Sequence, residues 1–157
     1  MSRVEYYDDP NAPQPNSIVV AATAFVRDAD NRVLLIQRSD NGLWAIPGGA
    51  QDFGEYITET AVRETREETG IDIEVTCLVG IYSDPRHIMA YSDGEVRQQF
   101  SICFKAHPTG TDTLKPSPES PNVRWTSRNE LATLPIHPSI RLRINHGYAT
   151  LPHPYIG

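Results

Sequence analysis

Cysteine is scarce in this chain: Cys77 and Cys103 are the only two in 157 residues, which excludes a disulfide-built scaffold. Both lie in strand-like segments and read as small buried hydrophobes, with a pairing between them left open. Long apolar runs are also missing. The longest, around Ile18 to Val26, is interrupted by Thr23 and falls far short of the roughly 18 residues a membrane span needs. The opening MSRVEYYDDPNAPQPN has no apolar signal core, so a soluble cytoplasmic protein with no membrane partner is expected. Basic charge is in deficit, Lys plus Arg numbering 14 against 20 Asp plus Glu for a net charge of -6, which argues against a stable nucleic-acid partner. A small anionic ligand stays admissible, because a bound divalent cation dominates its local field whatever the overall charge. No internal repeat, interdomain linker or Asp-rich calcium loop occurs. His87 and His107 sit at no metal-ligand spacing from another histidine or cysteine, and read as surface or hydrogen-bonded loop residues.

What is present suits one domain with one sizeable core, 39% of residues being hydrophobic. Residues 1–17, with three prolines among Asp and Asn, predict either a disordered lead-in or an extended arm on the domain or on a neighbour, as in a homodimer. Residues 18–148 form the domain and 149–157 a tail. Ile18 to Arg27 and Arg32 to Arg38 read as a hairpin around Asp28-Ala29-Asp30-Asn31, and Leu43 to Ile46 as a short strand. Ile71 to Ser83 alternates as a half-buried strand, broken by Asp84-Pro85-Arg86-His87. A second hairpin spans Ile88 to Ala106, with Phe100, Ile102, Phe104 and Ala106 on one face. A loop follows from Pro108 to Pro121, and then a strand at Val123 to Trp125. A helix through Leu134 opens with the capping-box pair Ser127 and Glu130. Pro138 to His146 suits a short helix or a strand.

The most informative stretch is GAQDFGEYITETAVRETREETGI, Gly49 to Ile71. From Glu55 it predicts a helix: no proline interrupts it, and Gly70 stands where a C-terminus favours positive φ. At about 100° per residue, Glu64, Glu67 and Glu68 share one sector while Thr58, Ala61, Val62, Thr65 and Thr69 occupy the next. Like charges at this spacing repel by a few tenths of a kcal/mol per pair. A hard divalent cation would reconcile them. So would a solvated helix carrying a Glu59–Arg63–Glu67 ladder. Ahead of the helix, Gly48 and Gly49 allow close approach of backbone to a ligand or metal.

Gly49, then five residues, Glu55, then seven, then Arg63-Glu64-Thr65-Arg66-Glu67-Glu68-Thr69-Gly70-Ile71 resembles the Nudix box of the Nudix hydrolases. Thr65 departs from the aliphatic residue usual there. The resemblance implies an α/β fold, an α/β/α sandwich with a mixed β-sheet between helices. It implies Mg²⁺ (or Mn²⁺) held by Glu64, Glu67, Glu68 and the Gly49 carbonyl, Glu67 and Glu68 being also catalytic, with Arg63 steadying a glutamate. It implies Mg²⁺-dependent hydrolysis of a nucleoside diphosphate linked to another group, a small nucleotide substrate. Arg38, at a strand end, would reach the phosphates in such a protein, or else be a surface arginine; Arg86 is a second substrate-binding candidate. Glu119, a few residues before Trp125, fits a further ligand or the general base, although Asn122 stands where many relatives carry an acid. Pro85 lies near a proline common in ADP-ribose-cleaving members, which favours ADP-ribose or a similar nucleotide sugar over a modified nucleoside triphosphate. A nucleotide-sensing module without catalysis would typically have lost a box acid. No serine, cysteine or histidine nucleophile with a partnered base is evident, so water is the expected attacking group.

Overall fold

The computed structural model describes residues 2–149 and 151–157. The elements are β1 (Arg3–Tyr7), β2 (Ser17–Val26), β3 (Val33–Gln37), β4 (Trp44–Ala45), β5 (Gly48–Ala50), α1 (Ile57–Thr69), β6 (Ile73–Tyr82), β7 (His87–Tyr91), β8 (Val96–Pro108), β9 (Asn122–Thr126), α2 (Arg128–Leu131), α3 (Pro138–Tyr148) and β10 (Tyr155–Ile156). They build an α/β/α sandwich around a mixed sheet. Strand β8 is its spine. One edge runs parallel to β2 from Arg97 to Ala106, while the other pairs antiparallel first with β7 and then with β6. The turn at residues 83–86 therefore lies at the fork where β8 passes from one partner to the other. β1 extends the sheet beyond β7, and β10 pairs with β6, so both chain ends are strands of the large sheet.

Alternation along β2 serves two cores. Ala22, Ala24 and Val26 join Leu34, Ala61, Ile71 and Phe104 beneath α1, whereas Phe25 joins Val33, Leu35, Val79 and Ile144 beneath α3. Burial on both faces accounts for β-branched and apolar runs in place of strict alternation. Gly147 permits the close seat of α3: a Cβ there would stand 2.5 Å from the Phe25 ring.

Several expectations change. The predicted hairpin of residues 18–27 and 32–38 does not form, because β2 belongs to the large sheet and β3 to a separate three-stranded sheet with β4 and β9. One bridge, Arg27 to Val33, remains between them. Cys77 is exposed because a bulge between Val75 and Cys77 shifts the β6 register, while Cys103 is buried; both are free thiols. The second hairpin forms, but Ser101 and Cys103 are fully buried while Phe100 and Ile102 on the opposite face are half-buried, since β8 lies in the sheet centre. α2 is a single turn ending at Leu131, well before Leu134. Residues 138–148 are helical. Among the described residues, no helix is long and apolar enough to cross a membrane.

Candidate functional site

Helix α1 is fixed at both ends. The Glu59 carboxylate accepts from the Tyr56 N–H at 2.7 Å, and Gly70, at φ 76°, donates its N–H to the Arg66 carbonyl. Its inner face carries Thr60, Ala61, Thr65 and Thr69, whereas Thr58, which the sequence places in one sector with the last three, is exposed. Thr65 costs the core little: its hydroxyl donates to the Ala61 carbonyl at 2.7 Å, so no buried donor is left over.

The three acids occupy graded depths. Glu67 is exposed, Glu64 half-buried and Glu68 buried. Glu68 accepts from the Gly48 N–H at 2.9 Å and from the Ser120 hydroxyl at 3.1 Å. Burial and the charge of Glu64 push its carboxyl up to about 7 against these two hydrogen bonds. Burial also raises Glu64, opposed by Arg63 and aided by the charges of Glu67 and Glu119. Gly49 lies directly against Glu64: a Cβ there would sit 2.5 Å from the carboxyl carbon. Acids destabilised by burial and by one another, over a glycine that leaves room beside them, fit a divalent hard cation.

Arg63 organises the group. Its Nε donates to Glu55 at 2.5 Å, one terminal nitrogen to Glu64 at 2.8 Å and Glu67 at 3.2 Å, and the other to the Ala50 carbonyl at 3.0 Å. The guanidinium holds the Glu55 carboxyl down at about 2. Arg63 thus ties the β5 backbone, the approach loop and two helix acids together. In this arrangement it draws Glu64 and Glu67 toward itself while Glu68 turns to Gly48 and Ser120.

A cleft of about 220 Å³ opens beside β5, lined by Gly48, Gly49, Ala50, Arg38, Trp44 and Arg97 among others. Arg38 is on its wall, held in a two-pronged pair with Asp40 at 2.6 and 2.9 Å. Glu119 is exposed on the loop after β8, beside Ser120 and close enough to Glu64 to act on its charge. Arg86 is elsewhere: paired with Asp84 at 3.0 Å, it lines a second cavity of about 500 Å³ together with Pro85 and Tyr82. His87, Gln99, Ser139 and Arg143 line both spaces. His107 is exposed as expected; His87 is the hydrogen-bonded alternative, its Nε2 2.5 Å from Glu5, but it is buried and starts β7 and is not in a loop. Glu5 and His137, also on the cleft wall, carried no sequence signal: they stand 82 and 50 positions from His87 in no spaced motif.

The model of the NUDIX domain family matches residues 18–145. A putative 8-oxo-dGTP diphosphatase of Bacillus subtilis is 30% identical over 124 residues, 79% of this chain and 76% of that protein. An ADP-ribose pyrophosphatase of Methanocaldococcus jannaschii is 46% identical over 61 residues, 37% of this chain and 36% of that one. Among solved structures, a MutT protein from Bacillus halodurans superposes with a TM-score of 0.59 at 31% identity, covering 82% of this chain and 80% of its own.

Proposed function

The chain belongs to the Nudix family of pyrophosphohydrolases, and from that premise we propose that it cleaves, with Mg²⁺, the diphosphate of a nucleoside diphosphate joined to a second group, ADP-ribose or a similar nucleotide sugar. The observation that carries this reading is the packing of Glu64 against Gly49 and the bond from the Gly48 N–H to Glu68, the two glycines lining a cleft whose wall also bears Arg38.

Glu64, Glu67, Glu68 and the Gly49 carbonyl would hold the ion, which when bound neutralises charge on the phosphate oxygens and lowers the pKa of a water. Arg38 binds the phosphates, its planar fork already aligned by Asp40. Arg63 holds Glu64 and Glu67 together on one side of the helix. Glu119, exposed beside them, takes the proton of the attacking water. Water attacks one phosphorus and the other phosphate leaves, giving a nucleoside monophosphate and a phosphorylated remnant. Arg86 and Pro85, on the adjoining cavity, meet the distal sugar.

Two features support a substrate in two parts: the cavities share a wall of His87, Gln99, Ser139 and Arg143, and one relative is an ADP-ribose pyrophosphatase. The Bacillus subtilis relative supports a second reading, a modified nucleoside triphosphate lying in the cleft alone. Incubating the protein and Mg²⁺ with ADP-ribose, other nucleotide sugars and nucleoside triphosphates, read by chromatography, separates them. AMP and ribose phosphate from ADP-ribose, lost in Glu67→Gln, is the expected result; pyrophosphate release from triphosphates alone would favour the second reading. Inertness toward every compound would overturn both.

A further inference from the structure

The helix acids are not the tightest group of metal-binding side chains in this molecule. Among the described residues, the one set of three such donors lying within 4.8 Å of one another is Glu5, His87 and His137. They come from β1, the start of β7 and the residue before α3. Glu5 Oε1 is 2.5 Å from His87 Nε2 and 3.6 Å from His137 Nε2. Donors about 2.0–2.2 Å from a tetrahedral ion stand roughly 3.3–3.5 Å apart, so small side-chain rotations bring these atoms to ligation distance.

The surroundings resemble those of a built site more than those of a simple ion pair. His137 Nδ1 lies 2.8 Å from the Ser139 hydroxyl, and an Arg3 guanidinium nitrogen is 3.6 Å from the other Glu5 oxygen. The Ser139 N–H also donates to His137 Nδ1 at 3.2 Å, which fixes the ring with its proton on Nε2, so ligation at Nε2 requires that proton to move to Nδ1, which then donates to the Ser139 hydroxyl. His87 already has Glu5, but His137 Nε2, at 3.6 Å, is beyond hydrogen-bond reach of it. All three residues line the cleft, so a fourth coordination position would open into it. Arg3, Arg38, Arg97 and Arg143 line the same space and oppose a cation, Arg97 being paired with Glu95 at 3.0 Å. Arg38 is neutralised by Asp40, and Arg3 sits between Glu5 and Asp40 at 3.6 Å from each. With so little favourable field, affinity must come from directional nitrogen ligation. Two imidazoles and one carboxylate suit Zn²⁺ and disfavour Mg²⁺, which seeks oxygen.

We propose that Glu5, His87 and His137 form a second metal site, for Zn²⁺ or another imidazole-binding ion, separate from the helix acids and fastening β1 to the domain. β1, which supplies Glu5, lies outside the span the family model matches, residues 18–145, whereas His87 and His137 lie within it. The site stands apart from the hydrolase reading, and its test needs no turnover.

Adding Co²⁺ to the full-length protein tests it. One equivalent should give the intense visible absorption of a four-coordinate centre, unlike the faint absorption of a six-coordinate oxygen site, and Zn²⁺ should abolish it. The band should persist in Glu67→Gln, where the helix set is broken, and vanish in His137→Asn and His87→Gln, with folding checked by circular dichroism. Zn²⁺ should also raise the melting temperature of the wild type and leave that of Glu5→Gln unmoved. An absent band in the wild type, one lost in Glu67→Gln, or one surviving both histidine substitutions would overturn the proposal. Undiminished hydrolysis in Glu67→Gln would overturn the role given to Glu67 in the hydrolase reading, and inertness of the wild type that reading as a whole, both leaving this site untouched.

Discussion

Gly49→Ala isolates the helix acids from the fold around them. The new methyl carbon would fall 2.5 Å from the Glu64 carboxyl carbon and 2.5 and 2.7 Å from its two oxygens. Ordinary contact begins near 3.4 Å, so the carboxylate must retreat by about 0.9 Å. Because it is the free end of a flexible side chain, the retreat is conformationally cheap. Functionally it is not: a misplacement of about 1 Å at a reacting centre can cost on the order of 100-fold, equivalent to about 2.7 kcal/mol of transition-state stabilisation. The retreat also disturbs the 2.8 Å bond from Arg63 to Glu64. We expect kcat/KM for the best substrate to fall about 100-fold and the Mg²⁺ concentration for half-maximal rate to rise, with the thermal midpoint nearly unchanged. Phosphate release in a phosphatase-coupled assay across a Mg²⁺ series, beside a thermal melt, gives all three numbers. Activity within threefold of wild type, at an unchanged Mg²⁺ requirement, would refute the assignment of Gly49 and Glu64 to the ion.

The neighbouring glycine should respond in the opposite way. In Gly48→Ala the methyl group meets the Ala22 carbonyl and the Thr23 Cα, backbone that cannot step aside, so stability should fall by about 1–3 kcal/mol in urea unfolding. The Arg38–Asp40 pair predicts a pH effect. The Arg38 guanidinium holds the Asp40 carboxyl below its ordinary 3.8, so the stability it contributes is present above that value and lost as pH falls through the lower folded value. With the carboxylate 25% exposed, Asp40→Asn should cost up to about 1 kcal/mol at pH 7, a difference that shrinks below pH 3.8 and whose constancy across that range would count against the pair. The thiols should differ sharply. Cys77 is exposed, whereas burial pushes the Cys103 thiol up to about 11, so a thiol reagent should modify one site in the native protein and the second only on unfolding.

Chain order alone determined those parts of the protein that are local. The helix from residue 57 to 69, its stop at Gly70 and the placing of Glu64, Glu67 and Glu68 along it follow from a periodic segment with a left-handed cap. So do the β7–β8 hairpin and the Ser127 cap of α2. Arg63 was legible as a partner for acids because i, i+4 geometry brings it to Glu67. Sheet membership was not legible. β2 and β3 are separated by a short turn, yet they part into different sheets because β2 finds its long parallel partner in β8, some 80 residues away. The bulge that exposes Cys77 arises from how β6 must fit that same spine. The depths of the three acids were likewise settled by what folds over them, Gly48 and Ser120 beneath Glu68 and open solvent at Glu67. Least legible of all were Glu5, His87 and His137. No periodicity joins residues so far apart, and only the pairing of β1 with β7 and the seating of α3 bring a carboxylate and two imidazoles to one point.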